Sequence, residues 1–124
     1  MRIRATGLVV RKGAVLLVRE HSGMWLLPGG AVERDELVIV AAIREVYEET
    51  GMEAHAAAFM FEHVSAHHVH HVFRIAISDT EHPRACAEAA SVQWVTPNQL
   101  TNLRATPGTK AILERALSAS TAVR

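Results

Sequence analysis

The chain has 124 residues, with 13 Lys and Arg against 13 Asp and Glu, eight His, one Cys and 49% hydrophobic residues. That length and apolar share give one domain with a core of its own, and they exclude a disordered tail or a highly charged linker protein. A formal net charge of zero removes the electrostatic case for binding a nucleic-acid duplex or an anionic membrane.

The first apolar runs are Ile3 to Val10 and Ala14 to Val18, which read as two strands of a hairpin turning at Arg11-Lys12-Gly13. Arg11 and Lys12 also cut the apolar stretch too short for a signal peptide, and no run approaches the roughly 20 residues of a membrane span. Cys86 has no partner for an internal disulfide. The expectation is a cytoplasmic protein with one domain over residues 1–124 and a core over 3–117, present as a monomer or homodimer.

Met24 to Leu27 reads as a short strand stopped by the loop Pro28-Gly29-Gly30, and Asp35 to Thr50 as a helix capped by Gly51. Two further strands follow, Ala56 to Phe61 and Val69 to Ile77. Asp79 to Ala90 is a loop and Ser91 to Val95 a strand. Thr96-Pro97-Asn98-Gln99 has capping-box spacing with proline at the first helical position. Thr106-Pro107 opens a last helix, with Ser118 to Arg124 expected to fray. Strands interleaved with helices make a mixed α/β sandwich.

On a helical wheel, Ile39, Val40, Ile43, Val46 and Tyr47 share an arc of roughly 120°, a core-facing stripe. Glu45, Glu48 and Glu49 gather on the other side. At i, i+3 and i, i+4 they repel by a few tenths of a kcal/mol per pair, at the helix end where the dipole also disfavours negative charge. A hard divalent cation offsets that repulsion; a solvated outer face is the alternative. Two neighbours favour a ligand site. The glycines of Pro28-Gly29-Gly30 allow close backbone approach, and Arg44 can orient a glutamate or meet phosphate charge.

Gly30, Glu36, Arg44-Glu45-Val46, Glu48-Glu49 and Gly51-Met52 reproduce, at all nine defined positions, the signature box of the Nudix hydrolases. At ~5–7% per fixed position, chance agreement is on the order of 10⁻⁸. Trp25 to Gly30 also resembles the family's approach to the box, and Val92 to Leu100 its closing strand and short helix. The resemblance implies an α/β/α sandwich around a mixed sheet, and hydrolysis of a diphosphate bond in a nucleoside diphosphate linked to another group. It implies Mg²⁺ or Mn²⁺ held by Glu45, Glu48 and Glu49 with the Gly29 carbonyl. It also implies that Arg44 positions a glutamate and that Glu36 is its structural partner.

The proton acceptor in such a reaction is Glu45 or Glu49, or Glu88 from the loop before Trp94. A run of histidines surrounds the later strands. His68 and His70 share one strand face and His67 and His71 the other, either as an edge cluster or as donors to phosphate or base. Imidazoles there also suit Ni²⁺, Cu²⁺ or Zn²⁺. Phe59, Phe61 and Phe73 are available for base stacking or for the core. His68, His70 and Phe73 are the candidate substrate contacts. The proline and tyrosine that mark the family's ADP-ribose and dinucleoside-polyphosphate members are replaced here by His67-His68-Val69-His70, which leaves a small nucleoside di- or triphosphate as the expected substrate. A nucleotide-sensing module without turnover is the alternative, and a metal-binding protein built on the histidines ranks last.

Overall fold

A computed structural model describes residues 1–21 and 23–122, with the side chains of 118–122 outside the description. The strands are β1 (Arg2–Leu8), β2 (Val10–Arg11), β3 (Ala14–Arg19), β4 (Trp25–Leu26), β5 (Gly29–Ala31), β6 (Ala54–Val64), β7 (His68–Ile77) and β8 (Ser91–Val95). The helices are α1 (Val38–Thr50), α2 (Pro97–Leu100) and α3 (Pro107–Ala122).

One sheet runs β5-β1-β7-β6, with β1 parallel to β7 and the other pairs antiparallel. The second runs β2-β3-β4, with β8 on the other side of β3. Alternation along the strands divides the core into two layers. Ala5, Leu16, Phe73 and Ile75 pack with Ala41, Ala42 and Val46 of α1. Leu8, Leu17, Val72 and Val95 pack with Ile112, Leu113 and Ala116 of α3. Helices on both faces of mixed-strand sheets make the expected α/β/α sandwich.

Three expectations need correction. The apolar run from Ile3 to Val10 is not one hairpin strand. It breaks at the fully buried Val9, where the chain passes from the first sheet into the second, and only Val10-Arg11 pairs with β3. Pro28-Gly29-Gly30 is not simply a loop, because Gly29–Ala31 is an edge strand registered on Arg4 to Thr6. The helix begins at Val38, three residues later than expected, since Asp35 takes a positive φ of 63° that no helix continues through. The last helix runs through Ala122, into the stretch expected to fray, and Val123 and Arg124 lie outside the described residues.

The apolar stripe of α1 is also rotated from the expected one. Val40 and Tyr47 are 46% and 50% exposed, while Ala41, Ala42, Val46 and Thr50 are buried and Ile39 and Ile43 pack partly beside them. Alanine lets a helix lie close to a sheet, so the small residues, not the large ones, mark the contact. Seven residues at 100° each bring Glu49 back to within about 20° of Ala42. The rotation therefore turns Glu49 inward.

Candidate functional site

A cleft of about 400 Å³ opens between the C-terminal half of α1 and the loop 79–90. Glu45, Glu48 and Glu49 line one wall, and Gly29 and Gly30 lie beside them. Glu20, at the end of the β3 segment, and Ala87, Glu88 and Ala89 also line it, with Arg4 of β1. The structure thus brings together the three box glutamates, Gly29 and Glu88, as the sequence led us to expect. Glu20 and Arg4 were missed.

Arg44 holds the acidic wall in shape. Its guanidinium donates to Glu36 at 2.8 and 2.9 Å, to Glu45 at 2.9 Å, to Glu48 at 3.3 Å and to the Ala31 carbonyl at 3.1 Å. The hydrogen bonds from Arg44, then that from the Glu33 amide, hold the Glu36 carboxyl well below its usual range, at about 2. Glu36 is thus the outer anchor of the guanidinium, and Glu45 the carboxylate it steadies at the cleft.

Glu49 differs from its neighbours. Burial, then a hydrogen bond shared with Glu45, push its carboxyl up to about 8, against the opposing charge of Arg4 and the Gly29 amide that donates to it at 3.2 Å. Metal-free, the Glu45–Glu49 pair therefore holds a proton at neutral pH. The folded protein binds that proton more tightly than the unfolded chain. Its stabilising contribution is complete below about 4.5 and is lost as pH rises through 8.

The donor set fits Mg²⁺ or Mn²⁺. It offers hard oxygens, two of them so close that they share a proton, and a cation replacing that proton would relieve both burial and repulsion. Among the described residues no three His, Cys, Asp or Glu side chains are placed to hold a metal ion by themselves. An open carboxylate wall is what Mg²⁺ takes when waters and substrate oxygens complete its shell. The expected result is a Mn²⁺ or Mg²⁺ affinity that climbs up to tenfold per pH unit and levels above pH 8, with up to one proton released per ion at pH 7. Calorimetry in two buffers of different ionisation enthalpy measures both.

Glu88 is delivered by a strapped loop. The Arg84 amide donates to the Thr50 carbonyl at 2.9 Å, and the Cys86 amide to Glu49 at 3.0 Å, the last carbonyls of α1. The Ala90 amide closes onto the Arg19 carbonyl at 2.7 Å, and Ala87 turns the chain with a φ of 54°. The Glu88 side chain itself makes no hydrogen bond or ion pair among the described residues.

The candidate substrate contacts fare differently. Phe73 is 5% exposed and sits in the α1-side core, edge-on to Phe59 at 5.6 Å, so packing rather than stacking on a base explains it. His70 is 9% exposed with both ring nitrogens engaged, Nδ1 with Thr6 Oγ1 at 3.0 Å and Nε2 with Ser65 Oγ at 3.2 Å. It is a bridge inside the fold and not a free donor. His68 lies edge-on to His70 at 5.8 Å and is not among the cleft-lining residues.

Burial, then the charges of Arg4, His68 and His63, lower the His70 imidazole to about 4. The unfolded chain then binds more protons between about 4 and 6.5, so this contribution is intact above 6.5 and fades as pH falls toward 4. Unfolding free energies from urea curves are expected to drop over that interval by on the order of 2 kcal/mol, and to drop less in His70→Gln.

The NUDIX domain model matches residues 1–116. The chain belongs to the Nudix family. Among its Nudix relatives, a MutT-like protein of Streptomyces ambofaciens is 34% identical over 102 residues, covering 79% of this chain and 66% of the relative. The CTP pyrophosphohydrolase of Escherichia coli (strain K12) is 28% identical over 116 residues, covering 86% and 84%. The chain spans less than two thirds of some relatives, including 59% of one from Bacillus subtilis (strain 168). The MutT NUDIX hydrolase of Burkholderia pseudomallei superposes with a TM-score of 0.78 at 28% identity, over 91% of this chain and 95% of that one. A nudix hydrolase family member from Chromobacterium violaceum gives 0.82 at 27%, over 95% and 77%. Among the described residues no helix is long and apolar enough to cross a membrane.

Proposed function

We propose that this Nudix chain hydrolyses a phosphoanhydride bond of a small nucleoside di- or triphosphate, with Mg²⁺ or Mn²⁺ held by Glu45, Glu48, Glu49 and the Gly29 carbonyl. The observation that carries the reading is the convergence of the Arg44-braced glutamates and the unpartnered Glu88 on one cleft beside Gly29 and Gly30. The relatives named for MutT and for CTP pyrophosphohydrolysis support a nucleotide substrate. Once bound, the cation supplies charge neutralisation for the phosphates and a lowered pKa for water.

The protein's own groups do the rest. Arg44 keeps Glu45 and Glu48 at the wall, so their oxygens would meet the cation without reorganising. Glu45 and Glu48 are committed to Arg44 and Glu49 to Gly29; of the two cleft carboxylates without a hydrogen bond or ion pair among the described residues, Glu20 and Glu88, the proton is assigned to Glu88. As water oxygen bonds to phosphorus and the bridging P–O bond breaks, that proton passes to Glu88 and the departing phosphate carries away the bridging electron pair. The strap holds Glu88 on the cleft for this step.

The test is a product screen by mass spectrometry in ¹⁸O-labelled water with Mg²⁺ or Mn²⁺. Its panel holds unmodified and oxidised nucleoside triphosphates, diphosphates, ADP-ribose, dinucleoside polyphosphates and nucleotide sugars. Metal-dependent cleavage of a nucleoside di- or triphosphate is expected, and the label marks the phosphorus attacked. Binding without turnover across the panel overturns hydrolysis in favour of a sensor.

A further inference from the structure

On the α3 side of the fold a recess of about 260 Å³ opens where the chain crosses from the first sheet to the second. Leu8 at the end of β1 and Val10 at the start of β2 both line it, with Leu113 and Ala116 of α3. Leu8, Leu113 and Ala116 are buried members of the α3-side core, so the recess reaches down to that core. Among the described residues it shares no lining residue with the acidic cleft. Native cores leave few voids larger than a water molecule, and this one has room for on the order of eight. It falls just below the roughly 300–1,000 Å³ of sites for drug-sized ligands, so its occupant is small.

The wall narrows the occupant further. Among the described lining residues Arg74 carries the one charge, and no Asp or Glu takes part. Arg74 stands on β7 in register with Leu8, and the ion pairs among the described residues belong to Arg44 and His71, none to Arg74. Thr96 supplies the one hydroxyl. Its oxygen accepts the Gln99 amide at 3.4 Å as the cap of α2, and its hydrogen has no acceptor among the described residues. A cation and an O–H donor in an otherwise apolar wall suit a single negative charge, whereas a phosphate dianion would leave a charge uncompensated. No aromatic ring lines the recess, so an aliphatic body fits it better than a stacked one. Met60, at the register shift of β6, adds a flexible thioether that adapts to a chain.

We propose that this recess binds a small aliphatic carboxylic acid, its chain held between α3 and the two sheets and its carboxylate turned to Arg74. The apolar wall supplies most of the affinity, because an ion pair at an exposed arginine contributes little, and Arg74 selects the head group. The site is separate from the cleft and does not depend on the hydrolase reading.

The experiment titrates the protein with octanoate, octanol and octyl phosphate, each below its aggregation concentration, and follows amide and methyl chemical shifts by NMR. Octanoate is expected to saturate one site, with the shifts gathered on Met60, Leu113 and Ala116, and to bind more tightly than octanol or octyl phosphate. Arg74→Gln is expected to weaken octanoate about threefold or more and octanol less than about twofold. Ala116→Leu, which fills the recess, is expected to abolish binding of both. Melting curves establish that the variants fold, and if Ala116→Leu does not, the Arg74→Gln comparison decides. Octanoate that does not saturate, or that shifts the cleft instead, overturns the site. Octanoate and octanol binding alike, with no response to Arg74→Gln, overturn the selection of an anion. Octyl phosphate binding more tightly than octanoate overturns the carboxylate.

Discussion

Glu49→Gln is expected to lower kcat by about 10³-fold or more, roughly 4 kcal/mol of transition-state stabilisation, while the metal-free protein melts within a degree or two of wild type. The second half is the unusual one, and it comes from the proton that the Glu45–Glu49 pair carries. Glutamine has the shape of the protonated acid and can donate to Glu45 as that acid does, so the resting fold barely registers the change. What it cannot do is ionise. Steady-state kinetics with saturating Mg²⁺, beside a melting curve without metal, separates the effects. An active Glu49→Gln removes Glu49 from the metal set, and a large loss of stability removes the shared proton.

Gly29→Ala is expected to prevent folding or to cost at least about 3 kcal/mol, whereas Gly30→Ala next to it keeps its fold and loses activity. A Cβ on Gly29 would lie 2.3 Å from the Ala5 carbonyl oxygen and 3.1 Å from Thr6 Cα, both backbone atoms of β1 held by their partners in the sheet. Nothing there can move aside cheaply. A Cβ on Gly30 would instead meet the Glu45 carboxylate at 2.6–2.7 Å, the far end of a flexible side chain. The glutamate swings away, the fold survives, and the acidic wall loses the group that Arg44 was holding. Denaturation midpoints for both variants, with Mn²⁺ titration of Gly30→Ala, check the pair; equal stability of the two alanines contradicts the argument.

The fold class and the acidic wall were readable from sequence because both depend on local spacing. Box residues three and four apart on a helix must be neighbours whatever surrounds them. Which side of that helix faces inward was not readable. Size alone picked Val40 and Tyr47, but contact with the sheet selected Ala41 and Ala42, and a turn of the wheel carried Glu49 into the burial that sets its protonation. The histidines misled for a related reason. Alternation put His68 and His70 on one face, but not which partners awaited them, and Thr6 and Ser65 took both nitrogens of His70. Arg4 and Glu20 were missed because they lie far from the box in sequence. A signal for Arg4 existed, since Arg4 and Thr6 interrupt an apolar strand with polar side chains on one face. That pattern is informative only once β1 is known to lie inside its sheet, and strand order is a long-range property.

The strap across the end of α1 has a dynamic consequence. The last carbonyls of a helix ordinarily turn to water, and here two of them are spent on the backbone of the loop 79–90. Helix end and loop must therefore open together or not at all, as one cooperative unit in hydrogen exchange, with the Arg84 and Cys86 amides protected to the level of the last turn of α1. A segment tied in this way is not a lid. In the hydrolysis proposed above, nucleotide would enter and product leave past a rim that stays in place, so the slow step of turnover is expected to fall on the chemistry or on product release and not on a loop swinging clear.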